Sequence, residues 1–272
     1  MLRWILTIFS VLMVFFLNPP AMAQVNLSAS EISQVNQLRQ EAFTAAEGGD
    51  FAAAEGYWSQ LIELLPDNPV GWSNRGNYRV IQHKLVEAIA DFDRAIELAP
   101  DAPNPYLNRG IAYEGEKSWE NAMPKASEAI ADYQRVLEIN PHDAVAYNNL
   151  GNANGGLGKW ENAIAYYNKA VELDPNFAFA RVNYALALYQ IGEKDKAIGE
   201  MRNIIRKYPQ FADIRAALTA ALWADGKPGE AESNWVAVIG LDGRYQDLDW
   251  VENIRRWPPL MVAALDKFLM LK

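Results

Sequence analysis

The side chains able to do covalent or acid–base chemistry are few and scattered. The chain has 272 residues, no cysteine and two histidines, His83 and His142. Both histidines fall in turns between helical stretches, far apart in the order of the chain. No G-x-S-x-G, H-E-x-x-H or phosphate-loop pattern occurs. Gly155, Gly156 and Gly158 follow no strand and precede no lysine–serine pair, so they read as a helix break and turn. Asp91 and Asp93 stand two apart on a helix, hence on different faces, and read as solvated charge. These observations predict no catalytic residue, no metal site and no cofactor. One ordered set of polar residues remains. Asn74, Asn108, Asn149 and Asn183 each stand two residues before a small residue, and Asn77 and Asn152 follow their glycines by one. An amide side chain carries two donors and an acceptor oxygen, so it can pair with a peptide N–H and C=O together.

The elements that must position these asparagines are helices. Ala144 to Phe177 shows the pattern most plainly. Tyr147, Leu150 and Gly151 lie at helical spacing, the three glycines interrupt, Ala163, Tyr167 and Ala170 resume the spacing, and Pro175 ends it. Two short helices cannot bury their apolar faces alone and need neighbours of the same kind. Pro66, Pro100, Pro141, Pro175 and Pro209 each close such a stretch, at spacings of 34, 41, 34 and 34 residues. Twelve residues before each proline stands an alanine: Ala54, Ala88, Ala129, Ala163 and Ala197. Eight before stands a bulky residue: Trp58, Phe92, Tyr133, Tyr167 and Met201. A small residue recurs where paired helices must approach: Ala42, Gly76, Gly110, Gly151 and Ala185. A sixth pair continues with Thr219, Ala231 and Trp235, with Gly243 in place of the proline.

This period and pattern resemble the tetratricopeptide repeat (TPR) over roughly Val35 to Tyr245. The resemblance implies an all-α, right-handed superhelical solenoid of six helix pairs with a C-terminal helical cap. The predicted pairs are 35–68, 69–102, 103–143, 144–177, 178–211 and 212–245. Residues 24–34 form a linker and the start of the first helix, and 246–272 the cap. The resemblance also implies that the first helix of each pair lines a concave groove that binds a polypeptide. An asparagine ladder at this place in such arrays grips an extended peptide backbone. The peptide-binding candidates are therefore Asn74, Asn77, Asn108, Asn149, Asn152 and Asn183, with Arg39 as a lone base. Related arrays that hold chaperone tails need several Lys or Arg in the groove. The corresponding places here carry Ser73, Leu107, Asn148, Val182 and Ala216, which argues against a chaperone tail. Trp58, Trp72, Trp119, Trp160 and Trp235 share the repeat register and read as core, whereas Trp223 departs from it and is a candidate groove residue.

Composition bounds the partners. Twenty-five basic against 34 acidic residues give net −9, which disfavours nucleic acid, since phosphate binding needs a basic footprint. Half the residues are apolar, enough for a continuous core. Residues 1–23 read as a Sec-type signal: Arg3 supplies the charge, Trp4 to Leu17 the apolar run, and Ala21-Met22-Ala23 the cleavage site. Gln24 then opens a mature chain with 24 basic and 34 acidic residues, net −10. The alternative is an uncleaved anchor.

Local signals set the details. Ser28 and Glu31 form a capping box, so a helix is expected from there to about Glu47. Asp50 starts the next. The second pair lacks a glycine in its inner turn and uses Gln82-His83-Lys84. The third carries seven extra residues, about two helical turns, which would keep the buried face in phase. Pro124 is tolerable only in a first turn, so a turn is expected at 118–123 and a helix from near Pro124. After Tyr245 the pattern changes. Asp247 to Trp257 reads as a helix with Trp250, Val251 and Ile254 apolar, Pro258-Pro259 breaks it, and Leu260 to Leu271 makes a last helix over the open end. Trp250 and Trp257, beside Arg255 and Arg256, read as cap packing. The tail DWVENIRRWPPLMVAALDKFL resembles those of TPR proteins of cyanobacteria and chloroplasts, implying the thylakoid lumen or the periplasm.

The predicted function is a non-catalytic scaffold outside the cytoplasm. It would hold an extended polypeptide or a subunit, assisting assembly or repair of a photosynthetic membrane complex with which it associates peripherally. The alternatives are a docking module for an exported enzyme complex and a membrane-anchored adaptor. The sequence leaves partner, pathway and oligomeric state open.

Overall fold

The computed structural model describes residues 27–115 and 122–270. The expected signal segment and Trp119 lie outside the described residues. Among the described residues there are thirteen α-helices and no strand. Twelve form six pairs: α1 (Ala29–Glu47) with α2 (Phe51–Leu64), α3 (Pro69–Ile81) with α4 (Leu85–Leu98), α5 (Pro103–Gly115) with α6 (Ala122–Ile139), α7 (Ala144–Gly156) with α8 (Trp160–Leu173), α9 (Ala178–Gln190) with α10 (Lys194–Lys207), and α11 (Ala212–Ala224) with α12 (Pro228–Leu241). The last, α13, spans Pro259–Leu269. The chain divides into two compact units, one up to Pro141 and one from His142. Within each unit every paired helix packs on the next in chain order, whereas α13 packs on α11 and α9.

The sequence signals act locally as their chemistry requires. Ser28 and Glu31 make both halves of the capping box on α1. Asp50, Asn68 and Asp143 accept backbone N–H groups at the starts of α2, α3 and α7. Helices α2, α4, α6, α8 and α10 each end two residues before the proline that closes their pair. The inner turn of a pair needs a left-handed residue two positions past the first helix. Gly49, Gly158, Gly192 and Gly226 supply it, and in the second pair His83 does so with φ +59°. The small residues mark the closest approach. A Cβ placed on Gly76 would lie 2.7 Å from the Phe92 ring, and one on Gly110 2.5 Å from the Tyr133 ring.

The third pair absorbs its extra length in α6, which has 18 residues against 14 in the other second helices of pairs two to six. Ala129, Tyr133 and Val136 are fully buried, so the face stays in phase. Residues 118–121 of the expected turn lie outside the described residues. Helix α6 is described from Ala122, which puts Pro124 in its first described turn.

Three expectations require correction. Asp91 is not solvated: it is 2% exposed and clamped by two arginines. Trp223 packs edge-on against Phe268, with ring centroids 5.4 Å apart, and belongs to the core of the C-terminal unit. Residues 247–257 do not form one helix. Helical turns cover only 248–254, widened over Trp250–Ile254, after a separate 3-10 turn at Gly243–Gln246, and Arg256 takes a left-handed φ of +56°. Of the segment's apolar residues Val251 is buried and Ile254 is exposed. The cause is a buried carboxylate. Asp213, at the start of α11, accepts from the Tyr245 hydroxyl and the Trp257 indole N–H at 2.9 Å each and pairs with Arg255. Those three side chains converge on one point, and an ideal helix from 247 to 257 would not bring them there. Trp257 is buried, as cap packing requires.

Candidate functional site

The six candidate asparagines fall in two groups, one per unit, all on first helices of pairs. In the N-terminal unit Asn108 of α5 donates to the Asn77 side-chain oxygen of α3 at 2.8 Å, tying neighbouring first helices together. Asn74 turns back on its own helix and donates to the Val70 carbonyl at 2.8 Å. Arg39 is half-buried on α1.

In the C-terminal unit Asn183 of α9 donates to the side-chain oxygens of Asn148 and Asn152 on α7, at 3.1 Å each. The Tyr167 hydroxyl donates to Asn152 at 3.0 Å, and Asn148 donates to Asn149 at 3.2 Å. Asn149 is only 8% exposed, and its side-chain nitrogen is buried without a hydrogen-bond partner. A buried donor left unpaired costs about 1–3 kcal/mol.

The ladder is therefore not a row of equivalent free amides. Residues in one register position behave in three ways: Asn74 bonds its own helix, Asn108 and Asn183 bridge to the preceding first helix, and Asn149 is buried. Asn148 was outside the candidate set yet is a hub of the second group. Its signal was available, because it stands next to Asn149 and 35 residues before Asn183.

Beside the asparagines the two units differ in charge. In the N-terminal unit Arg75 holds Asp91 with two N–H groups, at 3.0 and 2.7 Å. Arg79 bridges Asp91 at 2.8 Å and Glu55 at 2.9 Å, and Lys84 adds a 2.7 Å contact to Glu55. Partial burial pushes the Glu55 carboxyl up. Hydrogen bonds from Lys84, Arg79 and Gln82 outweigh it and hold the group at about 2, against an ordinary 4.5. Arg109 grips Asp132 at 2.9 and 2.6 Å and reaches Asp93 at 2.6 Å. Burial opposes its charge, but the two carboxylates hold it more firmly protonated than usual. At the same register positions the C-terminal unit has Leu150 with Tyr166, Tyr184 with Glu200, and Leu218 with Asn234.

Among the described residues no three His, Cys, Asp or Glu side chains gather as metal ligands, and no helix is long and apolar enough to cross a membrane. The arrangement offers hydrogen-bonding amides on packed helices.

Comparison with known proteins agrees with this geometry. Residues 144–177 and 166–199 match models described as the tetratricopeptide repeat, and 76–115 with 125–158 match a further TPR model. A wheat (Triticum aestivum) Hsp70-Hsp90 organizing protein is 37% identical over 71 residues, which is 26% of this chain and 12% of that protein. Human tetratricopeptide repeat protein 36 is 30% identical over 86 residues, 30% of this chain and 46% of that protein. The chain thus spans about an eighth and about half of the lengths of these relatives. Among solved structures, a tetratricopeptide repeat protein from Parabacteroides merdae superposes with a TM-score of 0.64 at 18% identity, covering 88% of this chain and 93% of that one. YrrB, described as a TPR protein with an unusual peptide-binding site, does so with a TM-score of 0.51 at 20% identity over 77% of this chain and 97% of that one. Repeat models, helix pairing and structural likeness converge, and this chain is a tetratricopeptide-repeat protein.

Proposed function

We propose that the protein is a non-catalytic scaffold that holds a polypeptide partner along the first helices of its repeats. The observation that carries this reading is the pair of amide bridges, Asn108 to Asn77 and Asn183 to Asn148 and Asn152. Each fixes the orientation of an amide that still has donor and acceptor capacity for a peptide backbone. A site that reads backbone and not side chains is tolerant of sequence and suits a chaperone-like or assembly role. Asn74 and Arg39 are secondary contacts on this reading. Asn149 contributes by shape, since its amide is enclosed. The wheat relative's name refers to chaperones, but Ser73, Leu107, Asn148, Val182 and Ala216 give this chain no basic clamp for an acidic tail. The Sec-type leader and the tail's likeness to cyanobacterial and chloroplast proteins support a setting in the thylakoid lumen or periplasm, beside a membrane complex under assembly or repair.

The test is affinity capture from a photosynthetic or periplasmic extract with wild type and with Asn108→Ala/Asn183→Ala, both checked for equal melting. Loss of most co-purifying polypeptides from the variant is expected. An unchanged partner list would remove the asparagines from the binding surface.

A further inference from the structure

The last helix does not sit where the next member of the array would. Within the C-terminal unit each first helix packs on the second helix before it: α9 on α8, α11 on α10. Helix α13 instead packs mainly on α11 and α9, two first helices. The far side of α12 stays bare, with Val236 73% exposed and Ile239 and Leu241 also exposed.

The docked helix shows what its seat accepts. Met261, Leu265 and Phe268 are fully buried, at spacings of four and three that put them on one face. The Phe268 ring meets Trp223 and Trp235 edge-on at 5.4 and 5.2 Å. The Leu260 N–H, an orphan donor of the first turn, is taken by the Gln190 side chain of α9 at 2.8 Å. Its main contact, α11, carries the small residues Ala216, Ala217, Ala220 and Ala221, all of them buried. Large side chains of α13 thus meet an alanine-rich helix and two indole rings, an apolar seat of the kind that receives an amphipathic helix.

The connection to α13 is thin. It runs through left-handed Arg256 and then Pro258-Pro259, neither of which has an N–H to donate. Upstream, the chain is pinned by Asp213 through Tyr245, Arg255 and Trp257. Downstream of the prolines, side-chain burial is the main hold.

We infer that the faces of α9 and α11 form a helix-binding groove with α13 as its resident occupant, and that a partner's amphipathic helix with large apolar residues at positions one, five and eight takes α13's place. This rests on packing alone, independently of the asparagine reading, and it is read as a peptide affinity and not as a partner list.

The probe is a fluorescent peptide of residues 257–272. The hosts are the full chain in wild-type form and with Leu265→Lys/Phe268→Lys, which ejects α13 but leaves the seat unchanged. Helicity and cooperative melting of both are followed by circular dichroism. The variant is expected to stay folded and to bind the peptide at least about tenfold more tightly than wild type, because the competing occupant is gone. A peptide carrying the same two lysines should not bind. Absence of binding to the folded variant, or equal binding to both hosts, overturns the inference. So does loss of cooperative melting in the variant, which would make α13 an inseparable part of the core. In wild type, α13 amides should exchange hydrogen faster than those of α11, and equal protection would count against an exchangeable occupant.

Discussion

The two units close the same helix pairs with different physics. In the N-terminal unit the position before the small residue is arginine in pairs two and three, and its partner before the bulky ring is aspartate: Arg75 with Asp91, Arg109 with Asp132. In the C-terminal unit those positions hold Leu150 and Tyr166, Tyr184 and Glu200, or Leu218 and Asn234, and most of the core is a large apolar cluster running from Val182 to Phe268. The helices nonetheless pair in the same way. A buried ion pair gains little net stability because desolvation offsets the attraction, whereas breaking it leaves an uncompensated charge. Pairs two and three are therefore specified by charge matching and the C-terminal ones by volume. The single buried carboxylate of the C-terminal unit, Asp213, serves a different end: it fixes the tail.

The sharpest way to break this contrast is to disrupt one lock and then convert it. Asp132→Ala, which removes the buried partner of Arg109 and leaves it only the half-exposed Asp93, should destabilise by about 3 kcal/mol. Arg109→Leu/Asp132→Tyr, which copies Leu150 and Tyr166, should cost less than about 1 kcal/mol. Urea denaturation followed by hydrogen exchange in α5 and α6 reads both, and equal losses would show that the charges are not a replaceable lock.

A second contrast concerns the close approach. Gly110 faces the rigid Tyr133 ring, so Gly110→Ala forces a Cβ to 2.5 Å and should cost about 1–3 kcal/mol. The equivalent Ala185 already carries a Cβ opposite flexible Met201, and Ala185→Gly should cost only about 1 kcal/mol from helix propensity. Thermal melts should rank them in that order.

The charged unit should also be the acid-sensitive one. The folded pKa of Glu55, about 2, lies below its ordinary 4.5, so its contribution is fully present above pH 4.5 and is lost as pH falls toward 2. Allowing for its partial exposure, the loss is on the order of 1 kcal/mol. Glu55→Gln should flatten the pH dependence of N-terminal stability between those values, and an unchanged slope would assign the acid sensitivity elsewhere. The smallest effect is expected at the inner turns. His83 takes the left-handed position that glycine fills in the C-terminal pairs, so His83→Gly should stabilise by about 0.5–1 kcal/mol, measurable as a small rise in melting temperature.

Much of this molecule was legible because it depends on contacts repeated at fixed spacing. Gly76 before Phe92, Gly110 before Tyr133, the prolines two residues past each helix end and the Ser28–Glu31 box act within one pair or one turn, and the sequence states them directly. Asp91 was misread because its spacing to Asp93 reports which helix face each occupies, not what lies opposite that face; Arg75 is 16 residues away. The asparagines were located correctly on first helices, but their bonding was not legible, since a donor's choice between Val70 on its own helix and Asn77 one pair away is settled by sub-ångström placement.

By itself, then, the sequence determined the helix pairs, their order and their tight contacts, because periodic burial needs only the pattern of side-chain size along the chain. The tertiary structure alone decided which charges are locked, which amides bridge and where the tail lies. Asp213 meets Arg255 and Trp257 across 42 and 44 residues, and no local period can encode the meeting of groups that share no repeat.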